Sequence, residues 1–519
     1  MNWRDWAAPP PAPEGNSSLR ITLPACLAGL AAVAWFFWSS GPFRFPYDDS
    51  YITLEFARNL AATGRLTFDG IHRASGATSL LHVALLALPA RFGLPLEVVD
   101  ASLGILFFVL LIERTGAVAM LLTGSWKASL YAALVTALTG YLVVDALNGL
   151  ETTLFMFLTM TCLGSLLRSC NRGSGYHWPA LWLYLTALAR PEGYWFGASL
   201  LAYLVVLVAC RREKFRDLAT LSGYLVGAIL LALATSWLLT GSVTPHTALA
   251  KVYFFNQFRL TFIERLNIYL QRMGWVWGPM VMPLFPLFFA RRSQSLLVAV
   301  LLWILTSQVM FLLLLPKEIS AYQGRYVHPF MPFLIILAGD GLNTLLESTG
   351  KFRVPRWATA TVLAFIAAIC YLNLITMLAG YKNGKSSIHN NHFWAVQWLQ
   401  ANAPKDILVA THDIGVLRYV GHYRLLDIVG LVDEEAMARN RAQRGQFAYL
   451  LEKRPDYIVG DQMWLLRLAH YFPALKPYVT TVAVAHPNAY GVVQLRIYRC
   501  HWDQAGSLPP PTNNSPNLR

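Results

Sequence analysis

About a dozen apolar runs, each near the length of a bilayer crossing, dominate this sequence and restrict what it can fold into. They lie near residues 21–40, 78–94, 98–122, 128–146, 150–168, 177–190, 193–210, 217–240, 274–290, 295–315, 329–346 and 357–379. Hydrocarbon offers no partner to a peptide group, so a crossing run of about 20 residues must bond its own backbone as an α-helix. A polytopic helical membrane protein follows. Composition agrees: 55% of the 519 residues are hydrophobic and 13% charged, where a soluble chain carries about a quarter charged. The 17 Trp, 23 Tyr and 28 Phe rule out a disordered chain. The formal charge of +14 comes without a basic stripe interleaved with aromatics, which argues against nucleic acid as a partner. Of six Cys, four (Cys26, Cys162, Cys210 and Cys370) sit inside apolar runs, and no spacing reads as a metal or disulfide framework.

Charge sets the topology. Arg4 and Arg20 precede the first run, which lacks a small-residue cleavage site and reads as a signal anchor with its amino end inside. Lys127, Arg168 with Arg172, Arg211-Arg212-Lys214-Arg216, Arg291-Arg292 and Lys351-Arg353-Arg356 occupy alternate turns, and all can be cytoplasmic only if one run before Lys127 does not cross. The run at 78–94 is short and interrupted by His82, Pro89 and Arg91, so it reads as a helix in the outer interface. About eleven crossings remain, which places everything after residue 380 outside.

The resulting organisation is a disordered cytoplasmic amino terminus (1–20), a membrane domain (21–379) whose outer loop 41–97 carries Asp48-Asp49, a soluble α/β domain (380–503) and a disordered Pro/Asn-rich tail (504–519). In the soluble segment, a helical pattern at NHFWAVQWLQANAP alternates with β-type runs DILVAT, YRLLDIVG, DYIVG and VVQLRIY. No internal repeat supports duplicated transporter halves.

This topology gathers the ionisable residues on one face, where such groups at membrane depth mark function. Asp48 and Asp49 point about 100° apart on a helix, so only one can address a given atom; the other positions, binds metal or caps a helix. Arg190 and Glu192 close a short apolar run, Glu151 opens another, and Gly324-Arg325-Tyr326 offers a further cation. Each also fits a plainer role as an interface anchor or helix cap. The loop 241–272, with His246, Lys251, Arg259, Glu264 and Arg265, is basic on a side where positive charge is disfavoured, which calls for an anionic partner, lipid headgroups included.

At these residues the chain resembles the GT-C superfamily of membrane glycosyltransferases, in particular the bacterial branch of arabinofuranosyltransferases and related mannosyl- or pentosyltransferases. The resemblance rests on YDDSYITLEFARNLAATGRLTFDG with SGATSLLHV, then NGLET, ARPEG, GSVTPHTALAK, GRYVHPFMP and THDIGVLRYVGHYRLLDIVGLVDE, in family order over most of the chain. It departs at Glu55 (Arg in the family pattern), His246 (Asn) and Leu80-Leu81-His82 (a Pro-Leu-Trp type), of which the first and third bear on which sugar is carried more than on the reaction class.

The resemblance implies an enzyme of the bacterial plasma membrane that moves a sugar from a polyprenyl-phosphate carrier to a glycan, lipid or protein acceptor at the outer face. Arabinofuranose or another pentose comes first, then mannose. Asp48 or Asp49 would be the base, Asp48 placed first. Lys251, Arg190, Arg325 and Arg259 are the candidates to hold the carrier phosphate. Glu151, Glu192, His246, Tyr51, Arg58 and His72 are candidates for sugar or acceptor contacts, and Asp413, Arg418 and Asp427 for acceptor contacts from the soluble domain. One base and one displacement would invert the anomeric centre. No spacing demands a cofactor, although Mg²⁺, Mn²⁺ or Ca²⁺ held by Asp49, Glu151 or His246 suits the oxygen-rich donors. A transporter or flippase of lipid-linked sugar and a non-catalytic envelope assembly factor are the alternatives.

Overall fold

The computed structural model describes residues 16–209, 215–243, 246–256, 260–281, 290, 294–315, 318–347, 356–442, 446–461, 475–485 and 494–503. Most of both ends read as disordered lies outside these residues, but residues 16–20 already belong to the first helix, Asn16–Ser39. Six described helices are long and apolar enough to cross a membrane: Leu19–Ser39, Leu96–Thr123, Thr152–Arg172, Arg216–Thr240, Ile319–Glu347 and Ala360–Asn402. The pair Trp126–Leu138 and Gly140–Leu147, bent by 58°, makes a seventh if it is one span. The sequence-based figure of about eleven also counts His177–Ala189, which forms only 13 helical residues, and 274–290, part of which lies outside the described residues. The run at 78–94 forms the 12-residue helix Leu80–Arg91, too short to cross, with Ser79 Oγ accepting from the His82 N–H at 3.2 Å.

The bent pair has a physical cause. The helix is interrupted at Thr139, and the freed Gly140 N–H donates to Asn373 Oδ1 of a neighbouring helix at 2.7 Å. A break in a membrane helix survives only where a neighbour satisfies the released backbone group. Beyond the break, the short helix Gly140–Leu147 delivers Asp145 and Asn148 to one end of the bundle.

Five strands follow the membrane helices: β1 (Leu408–Thr411), β2 (Arg424–Asp427), β3 (Tyr457–Asp461), β4 (Val479–Val484) and β5 (Leu495–Cys500). Their order is β2-β1-β3-β5-β4, with β1 parallel to β2 and β3, and β5 antiparallel to β3 and β4. Strand β4 was not foreseen: its faces alternate weakly, with most residues exposed, so it lacks the apolar signature of the others.

A domain boundary at 380 does not coincide with a break in the chain. Arg356–Ser387 continues through a π-helical turn, Ile388–Phe393, into Trp394–Asn402. Hydropathy falls there while the helical backbone continues, so a composition change marks solvent rather than an element end. Two cores result. One fills the helix bundle. The other joins the outer-loop helix Asp48–Thr63, through Tyr51, Leu54 and Phe56, to the sheet residues Val409, Ala410, Ile458 and Ile497.

Candidate functional site

Asp48 and Asp49 open the helix Asp48–Thr63 behind Tyr47, whose extended backbone forms the cap position without a side-chain bond. Their helical spacing separates them. Asp48 is buried, and its two carboxylate oxygens accept from Gly415 N at 2.7 Å and Val416 N at 2.8 Å, 367 and 368 residues along the chain. It therefore caps a helix, but the short one at Gly415–Tyr419 in the sheet domain rather than its own. Gly415 is required there, since a Cβ would lie 2.1 Å from the Asp48 carbonyl oxygen. Burial, with Asp413 adding to it, pushes Asp48 up to about 6, against the pull of His392 and the two N–H bonds.

This geometry makes Asp48 a docking residue. Asn keeps one acceptor oxygen and turns its NH2 group, a donor, toward the second backbone N–H, so Asp48→Asn leaves one of the two unmet, at a cost of about 1–3 kcal/mol, and the unfolding midpoint in detergent falls. Gly415→Ala lowers it further through the clash. The pH dependence has a definite sign. A carboxyl whose folded pKa is raised stabilises most fully below its ordinary value of about 4 and loses that contribution as pH rises through about 6. The midpoint thus declines over that window less steeply in Asp48→Asn than in the native chain; equal slopes would contradict the assignment.

Asp49 faces elsewhere. It is half-buried and bonds the Tyr322 side chain, with Arg325 in electrostatic contact. Tyr322 and Arg325 lie on a strained turn: Tyr322 (φ 50°), Gln323 (φ 63°) and Gly324 (φ 88°) are consecutively left-handed. Each non-glycine residue so placed costs on the order of 1–3 kcal/mol, strain that concentrates at functional sites. The turn tucks Arg325 into the protein at 5% exposure, against the rings of Tyr322 and Tyr326 at 5.4 and 5.5 Å. Its Nη2 lies 3.8 Å from Glu151 Oε1, while Nε and Nη1 are buried and have no hydrogen-bond partner among the described residues. Unmet donors on a buried guanidinium are costly unless something anionic or carbonyl-like meets them.

Glu151 ties a second cation to the first. Its Oε1 also sits 3.4 Å from Arg190 Nη1, and Arg190 Nη2 donates to Glu192 Oε1 at 2.5 Å. Burial works to raise the Glu151 carboxyl, but Arg325 and Arg190 overcome it and hold it below the usual range. The segment carrying Glu151 is braced by Ser50 Oγ donating to Asn148 O at 2.6 Å. His328 Nδ1, against Asp145 Oδ2 at 2.6 Å, fixes the far end of the Arg325 turn. Asp49, Arg325, Glu151, Arg190 and Glu192, from four separated segments, are thus one connected group.

Other sequence candidates are placed elsewhere. Tyr51 is buried against Phe45, Phe393 and Tyr419 and belongs to the interdomain core. Arg58 pairs with Glu55 and donates to Tyr419 O at 3.0 Å. Arg418 bonds Glu55 at 3.1 Å and Asp69 O at 3.0 Å, so Glu55 holds a clamp between outer loop and sheet domain. His72 is exposed and paired with Asp69. Asp427 accepts from Val429 N, Gly430 N and Val432 N and shapes a turn. His246 begins the helix His246–Asn256, with Glu434 at 3.7 Å, and half-buried Lys251 lies on the same helix. Arg259 lies outside the described residues. Among the described residues no three His, Cys, Asp or Glu side chains are gathered so as to hold a metal ion, Asp49, Glu151 and His246 included. Tyr322 went unread in the sequence, where its only signal is proximity to Gly324-Arg325.

Solved structures share this fold. The oligosaccharyltransferase AglB from Archaeoglobus fulgidus, in complex with an inhibitory peptide and a dolichol-phosphate, superposes with a TM-score of 0.58 at 14% identity, over 96% of this chain and 75% of that one. ArnT from Cupriavidus metallidurans bound to undecaprenyl phosphate gives 0.53 at 14%, over 92% and 98%. The chain has the GT-C fold. Six of its described helices are long and apolar enough to cross a membrane, and the Asp49–Arg325 group lies where the helix bundle meets the sheet domain. Residues 386–505, from the π-helical turn through the sheet, match a family described as a domain of unknown function (DUF8728). No curated protein matches the chain by sequence.

Proposed function

We propose that this protein is an inverting glycosyltransferase that moves a sugar from a polyprenyl-phosphate carrier to an acceptor hydroxyl at the outer face of a bacterial plasma membrane. The observation that carries this reading is the pair of buried Arg325 donors beside Asp49, unpartnered among the described residues. A guanidinium fork matches phosphate, and its fixed charge holds the negative charge that grows on a leaving phosphate. Arg190, tethered through Glu151, adds a second cation. The lipid phosphates bound by AglB and ArnT support the same carrier class here.

Asp49 is the base. The acceptor oxygen forms a bond to the anomeric carbon as its proton passes to Asp49, and the bond from that carbon to phosphate oxygen breaks with both electrons going to the polyprenyl phosphate. Asp49, half-buried, returns the proton to water. A single displacement opposite the leaving group inverts the centre. Tyr322 orients the base, and Glu151 and Glu192 orient the arginines. The sugar, on the resemblance in the outer-loop motifs, is arabinofuranose or another pentose, then mannose. Mass analysis of prenyl-phosphate lipids in a strain lacking the gene tests the reading: one sugar-loaded carrier accumulates and one envelope sugar is lost. An unchanged profile overturns it.

A further inference from the structure

Strands β2, β1 and β3 run parallel, and their carboxyl ends lie at the edge that receives Asp48. From β1 the chain turns into the Gly415 helix and on to β2 on one side, whereas β3 sits on the other side, beside β5. Ligands of open α/β sheets bind in the crevice outside such ends, where the connections diverge. Here the crevice is polar. Asp413 follows β1, with Oδ2 facing His392 Nε2 at 2.9 Å and His412 Nε2 at 3.2 Å, and Asp461, at the end of β3, lies 4.0 Å from His412. The Asp413 side chain is 34% exposed although its companions are buried. His392 comes from the π-helical turn, a local distortion frequent at functional sites, and its Nδ1 is buried without a hydrogen-bond partner among the described residues.

We infer that this crevice is the acceptor subsite and that Asp413 selects an acceptor bearing a vicinal diol, that is, a carbohydrate hydroxyl pair. The inference deepens the glycosyltransferase reading and rests on it. Its position follows from the displacement, which brings the acceptor in on the side away from the phosphate. Tyr322 is in electrostatic contact with Asp49 and Arg325 on one hand and with Asp413 on the other. Tyr322 thus links the base and the guanidinium to the Asp413 wall. Its chemistry follows from the pairing. A carboxylate flanked by two imidazoles has its charge largely answered, so its open oxygen serves as a hydrogen-bond acceptor for neutral hydroxyls more than as a counterion for an ammonium group.

The test is binding to the full-length protein in nanodiscs, read by saturation-transfer NMR with methyl mannoside and methyl arabinofuranoside, each beside its dideoxy analogue lacking the diol. The native chain binds the diols at least tenfold more tightly than the analogues. Asp413→Asn erases that preference while binding undecaprenyl phosphate as before, and Asp413→Glu retains part of it. Should Asp413→Asn fail to fold, His392→Gln, which withdraws one of the two imidazoles from the carboxylate, reports the same loss in part. Equal binding of diol and dideoxy sugars, no saturable binding of either, or unchanged preference in Asp413→Asn overturns the acceptor inference. Loss of undecaprenyl phosphate binding in the native chain would instead overturn the carrier reading.

Discussion

Asp49→Asn lowers the turnover of sugar transfer by about 10²- to 10⁴-fold, the range that removal of a positioned general base produces. The exchange is nearly isosteric, and Asn retains an oxygen for the Tyr322 bond, so the unfolding midpoint and the affinity for undecaprenyl phosphate stay close to native. Asp48→Asn shows the converse: a lowered midpoint with the smaller loss of turnover, because its two oxygens are held by Gly415 and Val416. Steady-state kinetics on the two purified variants decide between them. A larger kinetic loss in Asp48→Asn would restore Asp48 as the base and remove the assignment made from these contacts.

The second large effect is expected at Arg325. Arg325→Lys keeps the charge that answers Glu151 while replacing the planar fork by a point charge. Turnover falls by about 10²-fold, as for loss of a preorganised donor to developing charge, and undecaprenyl phosphate binds more weakly. Keeping the charge matters, since removing it would leave Glu151 with only Arg190 and would confuse folding with catalysis. Turnover and carrier affinity close to native in this variant would place the phosphate elsewhere, with Lys251 the next cation to examine.

Chemistry-bearing residues were legible in the sequence as types on one face. Asp48-Asp49, Glu151, Arg190-Glu192 and Arg325 stood out because ionisable groups bordering apolar runs are expensive and therefore few. Which of them meet was not legible. Arg58 and Arg418 carry the same guanidinium as Arg325, yet both are bonded across the domain junction through Glu55. The departure at Glu55, noted as bearing on sugar choice, lies in that junction. Tyr322 had no motif to announce it, because its role depends on a left-handed backbone that no side-chain pattern encodes.

The sequence alone marked this chain as helical, with several runs apolar enough to cross a membrane, since hydropathy and backbone bonding in hydrocarbon act on each run separately. It also limited the aspartate pair to one base, because helical spacing separates neighbours whatever surrounds them. Only the tertiary structure decided which aspartate is occupied. That choice is made by the N–H groups of Gly415 and Val416, some 367 residues away, and by a strained turn that buries Arg325 beside Asp49. Hydrogen-bond partners that distant are set by how the sheet domain docks on the outer loop, a property of the packed whole rather than of any segment.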